Sequence, residues 1–259
     1  VTQDGVQKWR YPAGSTPIGS IEGATPTIAP GDGTVYIASR DASLYALDAR
    51  TGEKKWSFAA SSPSFSAPAL GTDGTIYFRD NLKLYALTSG GELKWNYTLN
   101  TADKGGTYCS PVVAADGTIY VGTTDGTLFA FTDSASSATL KWTYTANGDI
   151  YTSPAIAADG TLYFGTLSGR FYALTPGPRS AAVKWSIALP TFNGTDASIS
   201  SSPAIGIDGT VYFAAYDHKL YALDPVSGAT KWTYTLGDEV RASSPAVAAD
   251  GTVYIGAYD

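Results

Sequence analysis

The sequence is poor in the residues that support most catalytic and metal sites. Its 259 residues contain one cysteine, Cys109, one histidine, His218, and no methionine. A single cysteine excludes an intrachain disulfide, a two-thiol redox motif and a multi-cysteine zinc site. Cys109 aligns with Thr152, Ser201 and Ser243 of the repeats described below, so we interpret it as one more small structural residue.

Positive charge and long apolar runs are also scarce. Lys and Arg number 17 against 23 Asp and Glu, which gives a net charge of −6. The broad basic field that nucleic-acid binding needs is therefore absent. No stretch approaches the roughly 18 apolar residues that cross a bilayer, so we expect no direct membrane insertion. An apolar fraction of 44% nevertheless predicts a folded core, and it leaves protein, carbohydrate or small-molecule partners open.

Three short phrases recur along the whole chain and predict a repeat architecture. Asp-Gly-Thr, followed by a β-branched residue or Leu and then Tyr, begins at Asp32, Asp73, Asp116, Asp159, Asp208 and Asp250. The tryptophans recur every 39 to 47 residues, at Trp9, Trp56, Trp95, Trp142, Trp185 and Trp232. Leu-Tyr-Ala-Leu-Asp or a close variant begins only five times, at Leu44, Leu84, Leu128, Phe171 and Leu220.

Each repeat contains four short strand signals. The small and β-branched residues of Ser243–Ala248 lead into the hairpin dipeptide Asp250-Gly251, and an alternating strand follows at Thr252–Gly256. In a complete repeat the third and fourth strands are Lys219–Asp224 and Thr230–Thr235. Four short antiparallel strands per repeat are typical of a propeller blade, which buries its faces only against neighbouring blades.

Side-chain size along the repeat favours the same architecture. First strands combine proline with small residues, whereas fourth strands carry Tyr and Trp. Blades diverge with radius, so outer strands need larger side chains to fill the space between them. We therefore predict an all-β fold, a β-propeller of six four-stranded antiparallel blades, as a single domain of residues 1–259.

The repeat resembles a known family. The runs Ala46–Trp56 and Ala222–Trp232 resemble the tryptophan-docking motif of the pyrroloquinoline-quinone-like, or quinoprotein-type, propeller repeat. In that family the outer-strand indole packs on the neighbouring blade. The resemblance therefore implies that the six tryptophans are structural clasps between blades.

One third strand is missing from the repeat count. The chain reaches Tyr258-Asp259 at the turn that precedes a third strand, and Gly5–Trp9 aligns with a fourth strand. We expect the two chain ends to share the last blade, which lacks one strand. Two explanations stay open: a longer natural polypeptide that continues after Asp259, or a partner that donates a strand to the incomplete blade.

Charged and aromatic residues are expected to gather at one loop end of the blades. This candidate ligand-binding face contains Arg40, Asp41, Arg79, Asp80, Asp125, Arg170, Tyr216, Asp217, His218 and Tyr258 between second and third strands, with Tyr108, Tyr151 and Arg241 in inter-blade loops. Loops at such an end commonly bind ligands. Asp is also favoured in tight turns, so the alternative is that most of these residues only form turns. No second His or Cys lies at metal-ligand spacing, so no metal site is predicted.

Two functions compete on this pattern. The resemblance to non-enzymatic members of the family implies a protein- or ligand-binding scaffold without catalytic residues. The alternative is a quinoprotein-type oxidoreductase, or another enzyme of the loop face, represented by part of its propeller. Alcohol-oxidising members use eight blades, a vicinal cysteine pair, and a calcium ion beside the quinone. This chain has one cysteine and about six blades, so pyrroloquinoline quinone with calcium is not expected.

The composition favours an exported protein. Gly (28) and Tyr (18) are abundant, while Lys and Glu are few, which is typical of a protein at the extracellular surface or in the periplasm. Asn96 and Asn193 each begin an Asn-x-Thr sequence, the acceptor pattern for N-glycosylation in organisms that glycosylate exported proteins.

Overall fold

A computed structural model describes residues 4–11, 25–99, 108–240 and 243–258. These residues form 22 β-strands and no helix, so the all-β prediction is confirmed. Consequently no helix in the described ranges has the length and apolar character needed to cross a membrane. The chain divides into two compact units, which are described separately: residues 1–113 with 133–138, and residues 114–132 with 139–259.

Five sheets have four strands each, hydrogen-bonded in the order of the sequence. The first is β1 Thr27–Ile28, β2 Thr34–Ser39, β3 Ser43–Asp48 and β4 Lys54–Ala59, and the second is β5 Ala69–Leu70, β6 Ile76–Arg79, β7 Lys83–Leu87 and β8 Leu93–Thr98. The third is β9 Val112–Val113, β10 Ile119–Gly122, β11 Thr127–Asp133 and β12 Ala138–Thr145. The fourth is β13 Ala155–Ile156, β14 Leu162–Gly165, β15 Arg170–Pro176 and β16 Ala181–Ala188, and the fifth is β17 Ala204–Ile205, β18 Val211–Ala215, β19 Lys219–Leu223 and β20 Thr230–Thr235.

The sixth sheet has two strands, β21 Ala246–Val247 and β22 Val253–Tyr254. Residues 5–9, expected to contribute a fourth strand, are described but lie outside every sheet. The physical reason is the strand order, because the fourth strand of a complete sheet pairs only with the third. The sixth sheet has no third strand within the described residues, so a fourth strand would find no ladder partner there.

The Asp-Gly-Thr phrase forms the first hairpin of each sheet, and in the five four-stranded sheets its aspartate lies near a lysine of the fourth strand. In the fifth sheet the Asp208 carboxylate accepts hydrogen bonds from the Thr210 N–H (3.0 Å) and the Thr210 hydroxyl (2.6 Å). Lys231 Nζ contacts the Thr210 hydroxyl at 2.6 Å and Asp208 Oδ2 at 3.4 Å. These hydrogen bonds, first from Thr210 and then from Lys231, lower the pKa of Asp208 to about 2.

The lysine reaches this turn because it occupies a β-bulge. Ala222 pairs with Trp232 and Leu223 pairs with Thr230, so Lys231 is the extra residue of the fourth strand. The same register shift skips Lys55, Lys94 and Lys184 in the first, second and fourth sheets. A bulge re-aims the side chain of the inserted residue, and here it directs a cation toward the hairpin carboxylate of the same sheet.

The third strands of the second and fifth sheets each pack against the outer part of the preceding sheet. In the first unit, Tyr85 and Leu87 of β7 belong to one apolar cluster with Ala46, against which Trp56 and Phe58 pack. In the second unit, Tyr221 and Leu223 of β19 pack with Phe171 and Trp185. The two units repeat this arrangement independently, so the cover is a property of the repeat.

Five tryptophan side chains each donate a hydrogen bond from the indole N–H to the next sheet along the chain. The acceptors are Ala49 O for Trp9 (2.8 Å), Ser89 O for Trp56 (3.0 Å), Asp133 Oδ1 for Trp95 (2.8 Å), Gly177 O for Trp142 (2.9 Å) and Pro225 O for Trp185 (3.1 Å). The turn that receives Trp185 contains Gly228 with φ +73°, and a Cβ there would lie 2.7 Å from Cδ2 of the indole. Glycine is therefore required both by the backbone and by the ring.

Candidate functional site

In the first unit, Phe65 brings together two residues of the predicted loop face. The Arg40 guanidinium lies 4.9 Å from the centre of the Phe65 ring, within cation–π distance. The Tyr108 ring also contacts Phe65, with the two ring centres 5.6 Å apart. The result is a mixed cationic and aromatic cluster formed by the β2–β3 turn and the loops before β5 and β9.

The aspartates of the second-to-third-strand turns are held by tyrosines of the third strand. Tyr45 donates to Asp41 at 2.8 Å, Tyr85 donates to Asp80 at 2.9 Å, and Tyr221 donates to Asp217. Burial, followed by the Asp217 carboxylate, raises the pKa of Tyr221. The spacing of four or five residues from Asp to Tyr is visible in the sequence, and it indicates a structural pairing.

Asp80 and Arg79 lie inside the first unit. Asp80 accepts hydrogen bonds from Ser61, Ser62, Leu82 and Lys83, in addition to Tyr85. Burial acts to raise the pKa of Asp80, but these hydrogen bonds outweigh it and hold the pKa below its ordinary value.

The Arg79 side chain is 1% exposed, and its Nε donates to the Asp80 carbonyl at 3.1 Å. This depth means that neither of the two residues presents its polar group to solvent.

In the second unit, a polar pocket of about 410 Å³ opens at the loop end of the fifth sheet. Three segments form it: the loop before β17 contributes Phe192, Asn193, Thr195, Asp196 and Ser198, the β18–β19 turn contributes Tyr216 and His218, and Glu239 follows β20. We call it the loop pocket. Of the predicted ligand-binding residues, it includes Tyr216 and His218.

The loop pocket combines carboxylates with aromatic rings. Asp196 and Glu239 are its acidic residues, and Lys and Arg are absent from the described residues that line it. The rings of Phe192 and His218 lie 5.1 Å apart, centre to centre. His218 adopts a left-handed backbone conformation, φ +61°, which turns the chain back into β19. Such a surface favours a cationic or hydrogen-bond-donating group that also has a flat face.

Phe192 and Asn193 sit in a short turn that closes on itself. The N–H of Phe192 donates to the Thr195 carbonyl at 2.8 Å, and the N–H of Thr195 donates back to Phe192 at 3.0 Å. The sequence signal for this part of the pocket is the length of the loop between sheets. Pro203 follows Trp185 by 18 residues, whereas Pro154 follows Trp142 by 12. Phe192 and Phe65 were not predicted from the sequence, because single apolar residues in loops carry no pattern.

Asp217 lies between the two pocket residues of its turn and is almost fully buried. Its Oδ2 accepts the Tyr221 hydroxyl and lies 3.4 Å from Lys219 Nζ. Its Oδ1 is buried and lacks a hydrogen-bond partner within the described part of the chain.

The other predicted ligand-binding residues that the structure describes do not line the loop pocket. Asp125 Oδ1 accepts hydrogen bonds from Thr123 and Thr127 of its own turn. Tyr151 and Arg170 are half-buried, while Tyr258 is exposed and its N–H donates to the Glu239 carbonyl at 3.3 Å. Arg241 falls outside the described residues. Both predicted glycosylation acceptors, Asn96 in β8 and Asn193, are exposed.

A second, apolar depression lies between the fifth and sixth sheets of the second unit. This groove of about 720 Å³ is lined by Leu220, Trp232, Tyr234, Leu236, Val253 and Ile255, together with neighbouring residues. We call it the sixth-sheet groove. Trp232 is 42% exposed and Tyr234 is 63% exposed, whereas Trp185 of the preceding sheet is 9% exposed.

The residues present do not fit a calcium-bound quinone. The chain has no cysteine pair, and Cys109 is buried. In the ranges 4–11, 25–99, 108–240 and 243–258, no three His, Cys, Asp or Glu side chains are placed to share a metal ion. The ligand set that the alcohol-oxidising relatives would require is therefore not assembled by the described residues.

Comparisons with known proteins agree with the repeat pattern. A family model described as "Outer membrane protein assembly factor BamB" matches residues 1–186 and again residues 109–259. The outer membrane protein assembly factor BamB of Burkholderia pseudomallei (strain K96243) is 33% identical over 119 residues, which is 45% of this chain. The matched segment spans 29% of that relative's length.

Solved structures establish the likeness of fold. BamB from Moraxella catarrhalis superposes with a TM-score of 0.70 at 19% identity, covering 92% of this chain and 73% of the other. The WD40 β-propeller domain of Doa1 gives 0.67 at 12% identity, covering 90% and 74%. The predicted β-propeller class is confirmed by these two structures.

Proposed function

Because the chain belongs to the pyrroloquinoline-quinone-like propeller family whose model is described as outer membrane protein assembly factor BamB, we propose that it is an exported, non-catalytic scaffold for protein partners. The relative from Burkholderia carries a name that assigns it to outer membrane protein assembly. A role of the same kind, in the periplasm or at the cell surface, agrees with the Gly- and Tyr-rich composition. The first partner contact lies at the loop pocket.

The observation that carries this proposal is the chemistry of the loop pocket. Two carboxylates, Asp196 and Glu239, lie in the same pocket as the rings of Phe192 and His218, which contact each other at a tilt of 45°. An arginine of a partner protein matches both features, because guanidinium pairs with carboxylates and stacks on aromatic faces. A carbohydrate or another small molecule is the competing ligand for the same pocket.

Site-specific crosslinking tests the proposal. A photo-crosslinking amino acid replaces Asn193 at the rim of the loop pocket or, as a matched control, Ile207 at the Asp-Gly end of the same sheet, which is 89% exposed. Irradiation in the source organism is expected to give a discrete protein adduct from position 193 and none from position 207. Asp196→Asn combined with Glu239→Gln should reduce the adduct yield at least fivefold.

Three results would contradict the proposal. Equal adducts from both positions would indicate nonspecific collision, and no protein adduct from position 193 would remove the loop pocket as a protein-binding surface. An adduct at position 193 that survives removal of both carboxylates would reject the arginine contact. Saturable binding of a sugar at the loop pocket would indicate that the pocket binds carbohydrate and not a protein partner.

Strand donation at the incomplete sheet is a second part of the proposed scaffold function. It is supported by the exposure of Trp232 and Tyr234, and it concerns a different surface from the loop pocket.

A further inference from the structure

Asparagine followed directly by glycine occurs twice in the sequence, at Asn147-Gly148 and at Asn193-Gly194. This pair is chemically labile. The main-chain nitrogen of the glycine attacks Cγ of the asparagine side chain, ammonia leaves, and a succinimide ring forms; water then opens the ring to aspartate or isoaspartate. Glycine favours the attack because it has no side chain and the most permissive backbone. The net change is gain of water and loss of ammonia, so water is the only co-reactant.

The structure leaves the pair Asn193-Gly194 open to this reaction. Both residues are exposed in a two-residue turn at the rim of the loop pocket. The hydrogen bonds that close the turn join Phe192 to Thr195, on either side of the pair. A Cβ atom added at Gly194 would have no neighbour within 4 Å among the described residues. The glycine that carries the attacking nitrogen is therefore not enclosed by its surroundings.

The other pair, Asn147-Gly148, is held in place. The N–H of Asn147 donates to the Tyr172 hydroxyl at 2.9 Å, and its carbonyl accepts a hydrogen bond from the Ser168 hydroxyl. Ser168 also encloses the glycine, because a Cβ atom added at Gly148 would lie 2.7 Å from Cβ of Ser168. Ring formation requires the main chain to rotate between the two residues, and that rotation would disturb these contacts. The two pairs therefore share a sequence but differ in backbone freedom.

We propose that Asn193 is a site of spontaneous deamidation, through which the loop pocket acquires a third carboxylate. Asp196 and Glu239 already line the pocket. The aspartyl product adds negative charge beside them and keeps the turn, because Asp, like Asn, tolerates the left-handed backbone, here with φ +50°. The modification needs no partner protein, so it goes beyond the proposed scaffold function and does not depend on it.

The two products change the pocket in different ways. Isoaspartate routes the main chain through the side chain and so adds a methylene group to the backbone of the turn. That insertion displaces Phe192 relative to Thr195, and it moves the Phe192 ring, whose centre lies 5.1 Å from that of His218. Aspartate changes the charge and keeps the backbone. We therefore expect the aspartyl form to bind cations more tightly, and the isoaspartyl form to lose the ring contact.

Incubation of the folded chain at mildly alkaline pH tests the proposal. Proteolysis and mass spectrometry measure the conversion of amide to acid at each asparagine, and electron-transfer fragmentation distinguishes the two products. Conversion at Asn193 should be about tenfold faster than at Asn147, because local opening limits the reaction at the held pair. Incubation in urea removes the fold and should make the two rates similar. Asn193→Gln should prevent conversion at position 193, since glutamine would have to close a larger ring.

The effect on the loop pocket has a separate measurement. His218 is the only histidine of the chain, so its ring signals in an NMR spectrum report on the pocket without overlap. Arginine amide is the probe and should shift these signals. Asn193→Asp should bind it about threefold more tightly than the unmodified chain, which is the effect of one exposed ion pair. The matched control is Asn147→Asp, which adds the same charge at a residue that does not line the pocket and should leave the affinity unchanged.

Four results would overturn the inference. Equal conversion of the two asparagines in the folded chain would show that the turn gives Asn193 no special freedom. A faster rate at Asn193 that persists in urea would assign the difference to the flanking sequence and not to the fold. A glycan on Asn193 in protein from the source organism would exclude the reaction, because it occupies the amide nitrogen. An unchanged affinity of Asn193→Asp for arginine amide would reject the added carboxylate as part of the pocket.

The two proposals fail separately. A failed crosslink at position 193 would remove the protein partner and leave the mass measurements unaffected. Conversely, a stable Asn193 would leave the crosslinking result unaffected.

Discussion

The two faces of the fifth sheet show what a complete neighbour contributes. Toward the fourth sheet, β19 supplies Tyr221 and Leu223, and Trp185 is 9% exposed with its N–H bonded to Pro225. Toward the sixth sheet, the same kind of indole, Trp232, is 42% exposed. Trp185 and Trp232 occupy equivalent positions in the fourth strands of their sheets, and each pairs with the alanine of its third strand beside a bulged lysine. The difference therefore arises from the third strand of the following sheet, and not from the tryptophan itself.

The largest expected difference comes from removing each indole in turn. Trp185→Ala should lower the free energy of unfolding by about 4 kcal/mol, because it empties a packed site. Trp232→Ala should cost less than about 1 kcal/mol, since its ring is partly in water. Urea unfolding of both variants measures the difference. Similar losses at the two positions would contradict the comparison.

The glycine that receives Trp185 gives a second, smaller contrast. Gly228 and Gly251 both have positive φ, but an added Cβ meets the Trp185 ring only at Gly228 and open space at Gly251. Gly251→Ala should therefore cost about 1 kcal/mol through the backbone alone. Gly228→Ala should cost about 3 kcal/mol, because ring and backbone effects add. If the two variants unfold at the same urea concentration, the indole is not held by this turn.

Acid titration compares the hairpins of the fifth and sixth sheets. The pKa of Asp208 in the folded state is about 2, below its ordinary value of 3.8. The ionised carboxylate therefore stabilises the fold above about pH 4, and this stabilisation is lost as the pH falls toward 2. Thr210→Val should raise the pKa toward 3.8 and flatten the pH dependence of unfolding between pH 2 and 4.

The matched control is Thr252→Val in the sixth sheet. The Thr252 N–H, which this variant keeps, is the first cause of the lowered pKa of Asp250, and a lysine is not among the causes. Thr252→Val should therefore change the pKa of Asp250 less than Thr210→Val changes the pKa of Asp208. Carboxyl NMR titration of both aspartates checks the order, and a larger shift at Asp250 would reverse it.

The smallest expected effect is none. Pyrroloquinoline quinone with calcium should leave the Tm unchanged, because the described residues assemble no ligand set for the pair. A shift of several degrees with the quinone and calcium would instead favour the oxidoreductase alternative.

The fold was accessible from the sequence because its signals are local. Asp-Gly turns, alternating strands and a periodic tryptophan each depend on a few adjacent residues, and they predicted the propeller class correctly. The Lys231 bulge was not predicted, because a register shift depends on hydrogen bonds between strands. The strand expected at Gly5–Trp9 was not found for a related reason: a strand exists only where a neighbour pairs with it.

The candidate site was harder to predict from the sequence, because burial and contacts between distant loops determine which residues belong to it. Arg79 and Asp80 have the composition of a ligand-binding turn, yet the structure buries both. Phe192 carries no motif, but its loop returns it to His218 and completes the loop pocket. Asp41, Asp80 and Asp217 could have been interpreted from the tyrosine four or five residues after each of them, which points to an internal hydrogen bond.

The way in which each indole is received has an evolutionary consequence. The second to fourth sheets each donate a tryptophan N–H to the following sheet and accept one from the preceding sheet. Successive contacts between sheets therefore use the same kind of hydrogen bond. Duplication or loss of a whole repeat leaves matching surfaces on either side of the change. A gene of this type can lengthen or shorten without inventing a new contact, and natural selection is left to act on the loops.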